Sequence, residues 1–357
     1  MRLFLLICLL LYVLVPGAAQ VMIVQTDTAE LHYSYDQIRQ LRFAPGESRR
    51  NAALNVHTPA GIRQLRLARF DSLTIAADSL LWVWQDTGRC AILLSDIDRL
   101  SFSPIFLPDR IAGAQTGSEF MNAVKDLETS SRESRVRSQI LKGNLPDFFR
   151  QPVTLTSQLK DANQEWHTVE YDVMPDYLAI GGNDNWCRIP MGPKVAQAIA
   201  DSFHCSLPTT KLVDDIWRHA VLKLDPIPYP WSLESTKVSR FVQHNRDIDA
   251  QRNALGGLPG ELIAGIKKDD VICNALRTTP GYVAIYGWHY PGGSPIQPLY
   301  LGHGDSYMDY SHGIRLIGRI MRVDGVEMSI AEILGDPVLY RLISDESGVM
   351  TQPYYPY

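Results

Sequence analysis

Alternation of apolar and polar side chains marks both ends of this chain, and apolar residues at three- and four-residue steps mark stretches of its middle. Residues 21–24, 31–35, 81–84 and 90–94 read as extended runs divided by polar turns, which predicts a small all-β module over residues 21–104. Within it Ile38, Leu41, Phe43 and Pro45 recur at a constant offset as Ile97, Leu100, Phe102 and Pro104. A short repeated unit is the simplest account. Residues 103–117, with two prolines and two glycines, read as a linker. Two helices follow, one capped by Ser118 and one opened by a capping box of Ser130 and Glu133, their outer faces charged and solvated. Linker and helices form a connector over residues 105–150.

A larger domain is expected over residues 151–346. Strands are predicted at 153–159 and 169–180, the second broken at Pro175. Gly192-Pro193 opens a helix carrying Val195, Ala196, Ile199, Ala200 and Phe203, and Thr210 caps another carrying Leu212, Val213, Ile216 and Trp217. Residues 223–260 show no clean period and read as a long loop. The run Lys267-Lys268-Asp269-Asp270 between apolar segments reads as a solvated turn, or, in a functional reading, as the source of a lysine that holds an anion. Asp324-Gly325 predicts a type I′ hairpin, and Ser329 with Glu332 starts a further helix. The fold class expected is α+β: a mainly antiparallel sheet with flanking helices, preceded by the small all-β module and followed by a loose tail at 347–357.

Met1-Arg2, an apolar run to Val15 and the small residues through Ala19-Gln20 form the pattern of an export signal over residues 1–20. The run is shorter than the ~20 residues a spanning helix needs, so the mature chain is expected to be secreted, periplasmic or extracellular, with no transmembrane segment. A net charge of −5 and the lack of a long basic block argue against nucleic acid as a partner. Cys90, Cys187, Cys205 and Cys273 allow three pairings, Cys187 with Cys205 among them, or free thiols.

Candidate chemistry concentrates between Gly281 and Ile317, which hold His289, His303, His312, Asp305, Asp309 and seven aromatic rings. As a strand, Tyr282, Ala284, Tyr286, Trp288 and Tyr290 share one face, and Val283, Ile285, Gly287 and His289 the other. Pro291-Gly292-Gly293 turns the chain, and the run 296–301 returns as an edge strand or a bulged one because Pro298 lacks an N–H. If extended, His303, Asp305, Tyr307, Asp309 and Ser311 share one unusually polar side.

Several resemblances rest on these residues. The first quarter resembles the short strand-and-turn modules found at the N-termini of many secreted bacterial proteins, which implies an accessory domain. His303 and Asp309 are spaced somewhat like the His and Asp of zinc D,D-peptidases, one residue short and without their His-x-His. His303-Gly304 and Ser311-His312-Gly313-Ile314-Arg315 resemble blocks of the L,D-transpeptidases, but Gly313 leads directly to Ile314 where that family has its nucleophilic cysteine. Residues 172–345, through Lys267-Lys268-Asp269, Tyr286-Gly287-Trp288-His289 and Asp309-Tyr310-Ser311-His312-Gly313-Ile314-Arg315-Leu316, resemble a family of uncharacterised secreted bacterial proteins. That resemblance implies one domain with a shared cleft.

The function expected is hydrolysis of an extracellular polymer, a cell-wall peptide or glycan, with His303, Asp309 and His312 as catalytic groups. Lys268, Tyr286, Trp288, His289, Tyr307 and Arg315 are the expected substrate-binding residues. A divalent metal such as zinc on His303 and Asp305 is a further reading. The alternative is a non-catalytic protein that recognises a glycan or peptide.

Overall fold

The computed structural model describes residues 105–357 continuously and, before them, residues 8–12, 21–25, 30–34, 40–42, 53–58, 61–66, 70–76, 80–85, 88–93, 97 and 99–103. The chain divides into two compact units, Met1–Asp109 and Arg110–Tyr357. Among its described residues the first unit is all-β and antiparallel. One sheet runs Glu30–Ser34, Val21–Gln25, Cys8–Tyr12, Arg99–Ser103, Ala53–Thr58 and Gly61–Arg66. A second runs Gln40–Arg42, Phe70–Ala76, Leu80–Gln85 and Gly88–Leu93. Leu54, Val56, Leu65, Leu73, Leu81 and Val83 are buried in it. Within the segment read as an export signal, Cys8–Tyr12 is a strand, and the rest of that segment lies outside the described residues. The repeat places Gln40–Arg42 and Arg99–Ser103 in different sheets, and most of the remainder of both copies lies outside the described residues.

The second unit is α+β and takes in residues 110–150 of the connector, while residues 105–109 fall with the first unit. Helix α1 (Gly117–Val124) is capped by Thr116, whose side chain and Glu119 form a capping box. Ser118 is therefore inside the helix. Helix α2 (Thr129–Leu141) has Glu128 at its N-cap and no side-chain cap, and Glu133 is spent elsewhere. Helices α3 (Pro193–Ser202) and α4 (Thr210–His219) follow the apolar spacing, with Gly192 and Thr209 as caps. The predicted loop at 223–260 contains α5 (Val238–Ala254). Its buried face is Val238, Phe241, His244, Asn245, Ile248 and Arg252, half of it polar, which is why no apolar period shows in the sequence.

Two sheets organise this unit. The first joins Cys205–Ser206, Ile317–Gly318, Trp166–Val173, Ile320–Val323 and Val326–Ser329, with Val153–Lys160 also on Trp166–Val173. Asp324 and Gly325 both have positive φ, as a type I′ hairpin requires. The second sheet runs Pro295–Gly304, Tyr282–His289, Lys268–Asp270 and His312–Gly313, the last pair parallel. Pro295–Gly304 is its edge, where the missing N–H of Pro298 is tolerated. The run read as a solvated turn is thus an inner strand, with Lys267, Asp269 and Asp270 all buried. The tail is not loose. Tyr355 is buried and its hydroxyl donates to the Val271 carbonyl at 2.7 Å, while Ala284 N donates to that hydroxyl at 2.9 Å. Cys90, Cys187, Cys205 and Cys273 are all free, so no bridge joins Cys187 to Cys205.

Because side chains alternate along a strand, Lys267 and Asp269 take one side of the second sheet and Lys268 and Asp270 the other. Asp269 accepts the Tyr177 hydroxyl at 2.8 Å, and burial pushes its carboxyl up to about 7. The Lys267 ammonium reaches His244 Nδ1 at 3.1 Å and the Tyr310 carbonyl. Burial first, then the Arg188 charge, push its amine down to about 7. Gly313 closes the sheet at this point, since a Cβ on it would lie 2.5 Å from the Tyr177 ring and 2.7 Å from the Lys267 Cβ.

Two outcomes follow for stability. Gly313→Ala should cost about 1–3 kcal/mol in urea unfolding, because two packed neighbours have to shift. Gly335→Ala, whose Cβ meets nothing within 4 Å, should change stability by less than about 0.5 kcal/mol. The folded value for Lys267 lies below that of an unfolded lysine, about 10.4. Stability linked to the neutral amine is therefore full above about pH 10 and lost as pH falls toward about 7. Lys267→Met lacks this dependence, so the wild type should gain on the variant by about 2–5 kcal/mol between pH 7 and 10. A gap that does not change with pH would show an ordinary amine.

Candidate functional site

The site is built on the sheet face that carries Lys268 and Asp270. Lys268 pairs across with His312 in the parallel ladder, so the His312 side chain stands on that same face. Its ring Nδ1 lies 3.5 Å from Asp270 Oδ1, an ion-pair distance too long for a good hydrogen bond. His312 and Asp270 are about as buried as any residue of the chain, at 1% and 0% exposed. Neither ring nitrogen and neither carboxylate oxygen has a hydrogen-bond partner among the described residues. Burial raises the Asp270 carboxyl, with His312 acting against the rise.

The chain reaches His312 through a tight turn rather than an extended polar strand. Asp309 Oδ1 accepts from Ser311 N at 2.8 Å and Ser311 Oγ at 2.6 Å, an Asx turn that also points the carboxylate. Its Oδ2 accepts the Tyr307 hydroxyl at 3.1 Å. Burial raises the Asp309 carboxyl, but the His312 charge, the Ser311 bonds and Lys268 together outweigh it and hold it below the usual range. Behind the turn Lys267 takes the Tyr310 carbonyl, and in front of it Lys268 N donates to the Ser311 carbonyl at 2.7 Å. The Lys268 ammonium sits 5.2 Å above the Trp288 ring, and burial lowers its amine while Asp309 opposes that.

His303, at the end of the edge strand, stacks on Tyr307 with ring centres 4.1 Å apart. Tyr300 meets His303 edge-on at 5.3 Å, and Tyr307 meets His312 edge-on at 5.8 Å. A ladder of four rings thus runs from exposed Tyr300 to buried His312. Burial, then the charge of His312, lowers the His303 imidazole.

Trp288 joins this face because the strand changes side. Gly287 and Trp288 both have positive φ, and the pairing with the edge strand slips twice before them. The expected alternation fails there: Trp288 lies beneath Lys268, while His289 turns to the opposite face with Tyr286. There His289 Nε2 lies 2.8 Å from Asp214 Oδ1, to which the Tyr286 hydroxyl also donates at 2.9 Å. Trp217 stacks on His289 at 5.8 Å. Tyr286 and His289 are therefore apart from the candidate site. So is Arg315, whose buried guanidinium donates to the Met174 and Ile263 carbonyls at 2.9 and 2.6 Å and covers the Tyr177 ring. Its role is to tie strands together.

The metal reading does not fit. Asp305 turns away to an ion pair with Lys194 at 2.9 Å while His303 is engaged by Tyr307, and no group of three potential ligands gathers among the described residues. One carboxyl group that the sequence pointed to only faintly belongs to the site, and a second meets the segment of Asp305. Asp270 was masked by its charged run. Glu133 comes from α2, where its capping-box spacing hid it. Glu133 Oε1 accepts from Gly192 N at 2.5 Å. A Cβ on Gly192 would lie 2.8 Å from that oxygen and 2.7 Å from the Asp305 carbonyl, so glycine lets the two segments meet. Burial raises the Glu133 carboxyl, and the nearby charges of Asp270 and Asp305 add to the rise.

The structure therefore brings together Lys268, Trp288, His303, Tyr307, Asp309 and His312 of the residues singled out from sequence, adds Asp270, and sends Tyr286, His289, Asp305 and Arg315 elsewhere. Comparison of the chain with models of protein families, with curated proteins and with solved structures gives no match in any of the three.

Proposed function

We propose that this chain is a secreted hydrolase acting on an extracellular polymer of the cell wall, with the Asp270–His312 pair at the centre of its chemistry. The observation that supports this most is that both members are buried, face each other at 3.5 Å, and have no hydrogen-bond partner among the described residues. A buried polar group left unpaired costs about 1–3 kcal/mol, and buried polar groups in folded proteins are otherwise almost always satisfied. Nδ1 and Oδ1 offset part of that cost by facing each other, and the outer atoms Nε2 and Oδ2 are left for substrate or water.

In this reading His312 takes a proton from water, and Asp270 holds the ring and stabilises the imidazolium that forms. The water oxygen bonds to the carbon of the scissile linkage, and the bond from that carbon to the leaving group breaks. The leaving group receives its proton back from the His312 imidazolium as it departs. Asp309 stays ionised and, with Lys268, forms the charged lip of the cleft. The Tyr307 ring covers His312, so the polymer gains access when the Tyr307–His303 stack shifts.

A binding role without turnover is the second reading, favoured by the exposed rings of Tyr282, Tyr290 and Tyr300 on the same two strands or just past them. Release of soluble fragments from dye-labelled bacterial sacculi separates the two. The wild type should release dye, and His312→Gln should lower the rate by about 10²–10⁴-fold. His289→Gln, on the opposite face, should leave it within about threefold, as expected of a residue remote from the reacting atoms. Equal release by wild type and His312→Gln, or none by the wild type, sinks the hydrolase reading.

A further inference from the structure

The strand that carries Asp270 is interrupted one residue past it by a side chain from the end of the chain. Lys268–Asp270 pairs antiparallel with Tyr282–His289, with Asp270 opposite Ile285, so the next pair is Val271 with Ala284. Val271 N donates to the Ala284 carbonyl at 2.9 Å, which marks this as a hydrogen-bonded pair. In an antiparallel ladder such a pair exchanges both of its bonds. The second is not made directly. Ala284 N donates to the Tyr355 hydroxyl at 2.9 Å, and that hydroxyl donates its one proton to the Val271 carbonyl at 2.7 Å. Two bonds stand where a ladder has one of about 2.9–3.0 Å, so the strands are splayed at the residue after Asp270.

The tail that delivers this hydroxyl is tied at intervals. Met350 N donates to the Leu334 carbonyl at 2.8 Å, Tyr355 N to Gln197 Oε1 of α3 at 3.0 Å, and the Tyr357 hydroxyl to Asp201 Oδ2 at 3.0 Å. A tail that only filled an apolar gap would need no hydroxyl, since a phenylalanine ring has the same shape. Here the hydroxyl is the partner of a buried N–H and a buried carbonyl, groups that are costly to leave unpaired. Burial first, then the charge of Asp270, push the Tyr355 phenol well above its usual value, so the wedge lies within the field of that carboxylate.

We infer that Tyr355 is a positioning residue for the Asp270–His312 pair: its hydroxyl, wedged into the ladder one residue past Asp270, fixes the end of the strand and with it the stand of the Asp270 carboxylate against the His312 ring. Tyr355 itself touches no reacting atom and acts through Asp270. The pair is sensitive to such a shift because little else holds Asp270. Lys268 and Asp269 are paired on both sides, with Gly287 and Tyr286 on one and His312 and Gly313 on the other, whereas Asp270 has only Ile285. Neither of its carboxylate oxygens has a hydrogen-bond partner among the described residues. Without the hydroxyl, Ala284 N and the Val271 carbonyl close on each other or stay unpaired, and in both cases the backbone beside Asp270 moves.

The inference deepens the proposed hydrolase and rests on that reading of the pair, yet its first readout needs no turnover. In the full chain labelled with carbon-13 at its aspartate carboxyls, the Asp270 signal is the one lost in Asp270→Asn. Burial raises this carboxyl, Asp309 adds to the rise and His312 opposes it, so a carboxylate that moves off His312 titrates higher still. Tyr355→Phe should raise the Asp270 value by about one pH unit. Asp324, held by His167 at the hairpin of the other sheet, should keep its own value and so report that the chain is folded. Tyr357→Phe, which loses only the bond to Asp201, should move Asp270 by less than about 0.2 pH units. Dye release from sacculi is the second readout: in Tyr355→Phe the rate at saturating sacculi should fall by about 10–10²-fold with half-saturation unchanged, because the reacting pair is misplaced and the binding surface is not. An Asp270 value in Tyr355→Phe equal to that of the wild type, an equal shift in Tyr357→Phe, or a release rate equal to that of an active wild type overturns the inference. So does a movement of Asp324 together with Asp270, which marks a general loosening of the fold. If the Asp270 value moves as expected while no form of the chain releases dye, the positioning stands and the hydrolase falls.

Discussion

The rest of the second unit depends on a charged run, Lys267 to Asp270, buried as the inner strand of a sheet. Taking three ionisable groups, Lys267, Asp269 and Asp270, from water is among the largest costs a fold can carry. The protein meets it mostly by shedding charge rather than by pairing it: burial moves Lys267 and Asp269 each to about 7, from opposite directions, and raises Asp270. What remains is met by partners recruited from distant segments. Tyr177 supplies a hydroxyl to Asp269, α5 supplies His244 to Lys267, and the Tyr310 carbonyl completes the Lys267 shell. The polar buried face of α5 and the closeness of Gly313 to Tyr177 and Lys267 both follow from this need.

A second constraint sorts the aromatic strand beside it. A tryptophan at φ 58° occupies a backbone region that bulky side chains avoid, at a cost on the order of 1–3 kcal/mol. Its effect is to reverse which residues share the face of Lys268 and Asp270. Trp288 is placed under Lys268, and His289 is sent to Asp214 on the other side. Two Asp–His pairs therefore lie on opposite faces of one sheet, and only one of them is satisfied by the protein itself.

This reversal also marks the limit of what sequence shows. The fold class, the type I′ hairpin at Asp324-Gly325, the helices at 193–202 and 210–219 and the edge strand with Pro298 were legible, because each rests on a local rule: period, turn chemistry or a missing N–H. The cleft was half legible. His303, Asp309 and His312 stood out by residue type, but alternation assigned Trp288 and His289 to the wrong sides because no pattern announces a bulge whose cause is tertiary. Asp270 looked like part of a solvated turn, since a charged run buried by long-range partners is identical in sequence to one facing water. Glu133 looked like half of a capping box with Ser130, and only the approach of Gly192, some sixty residues on, gives it another role.

The histidines show why the site is assigned to one face and not the other. His167 is held between Asp324 at 2.7 Å and Asp161 at 3.4 Å, and His219 lies 3.0 Å from the Asp215 carbonyl and 3.2 Å from that of Thr156. His289 has Asp214, and His244 has Lys267. Each of these rings has at least one partner within the fold, and of them only His244 keeps a buried nitrogen, Nε2, with no hydrogen-bond partner among the described residues. His312 touches a carboxylate equally deprived of partners, in the most protected part of the sheet, with Tyr307 laid across it. Stability alone would replace such a pair with apolar side chains of similar volume at little loss or some gain. Its persistence beside an ionised Asp309 and a half-buried Lys268 is the physical reason for reading this face as the one that meets a substrate.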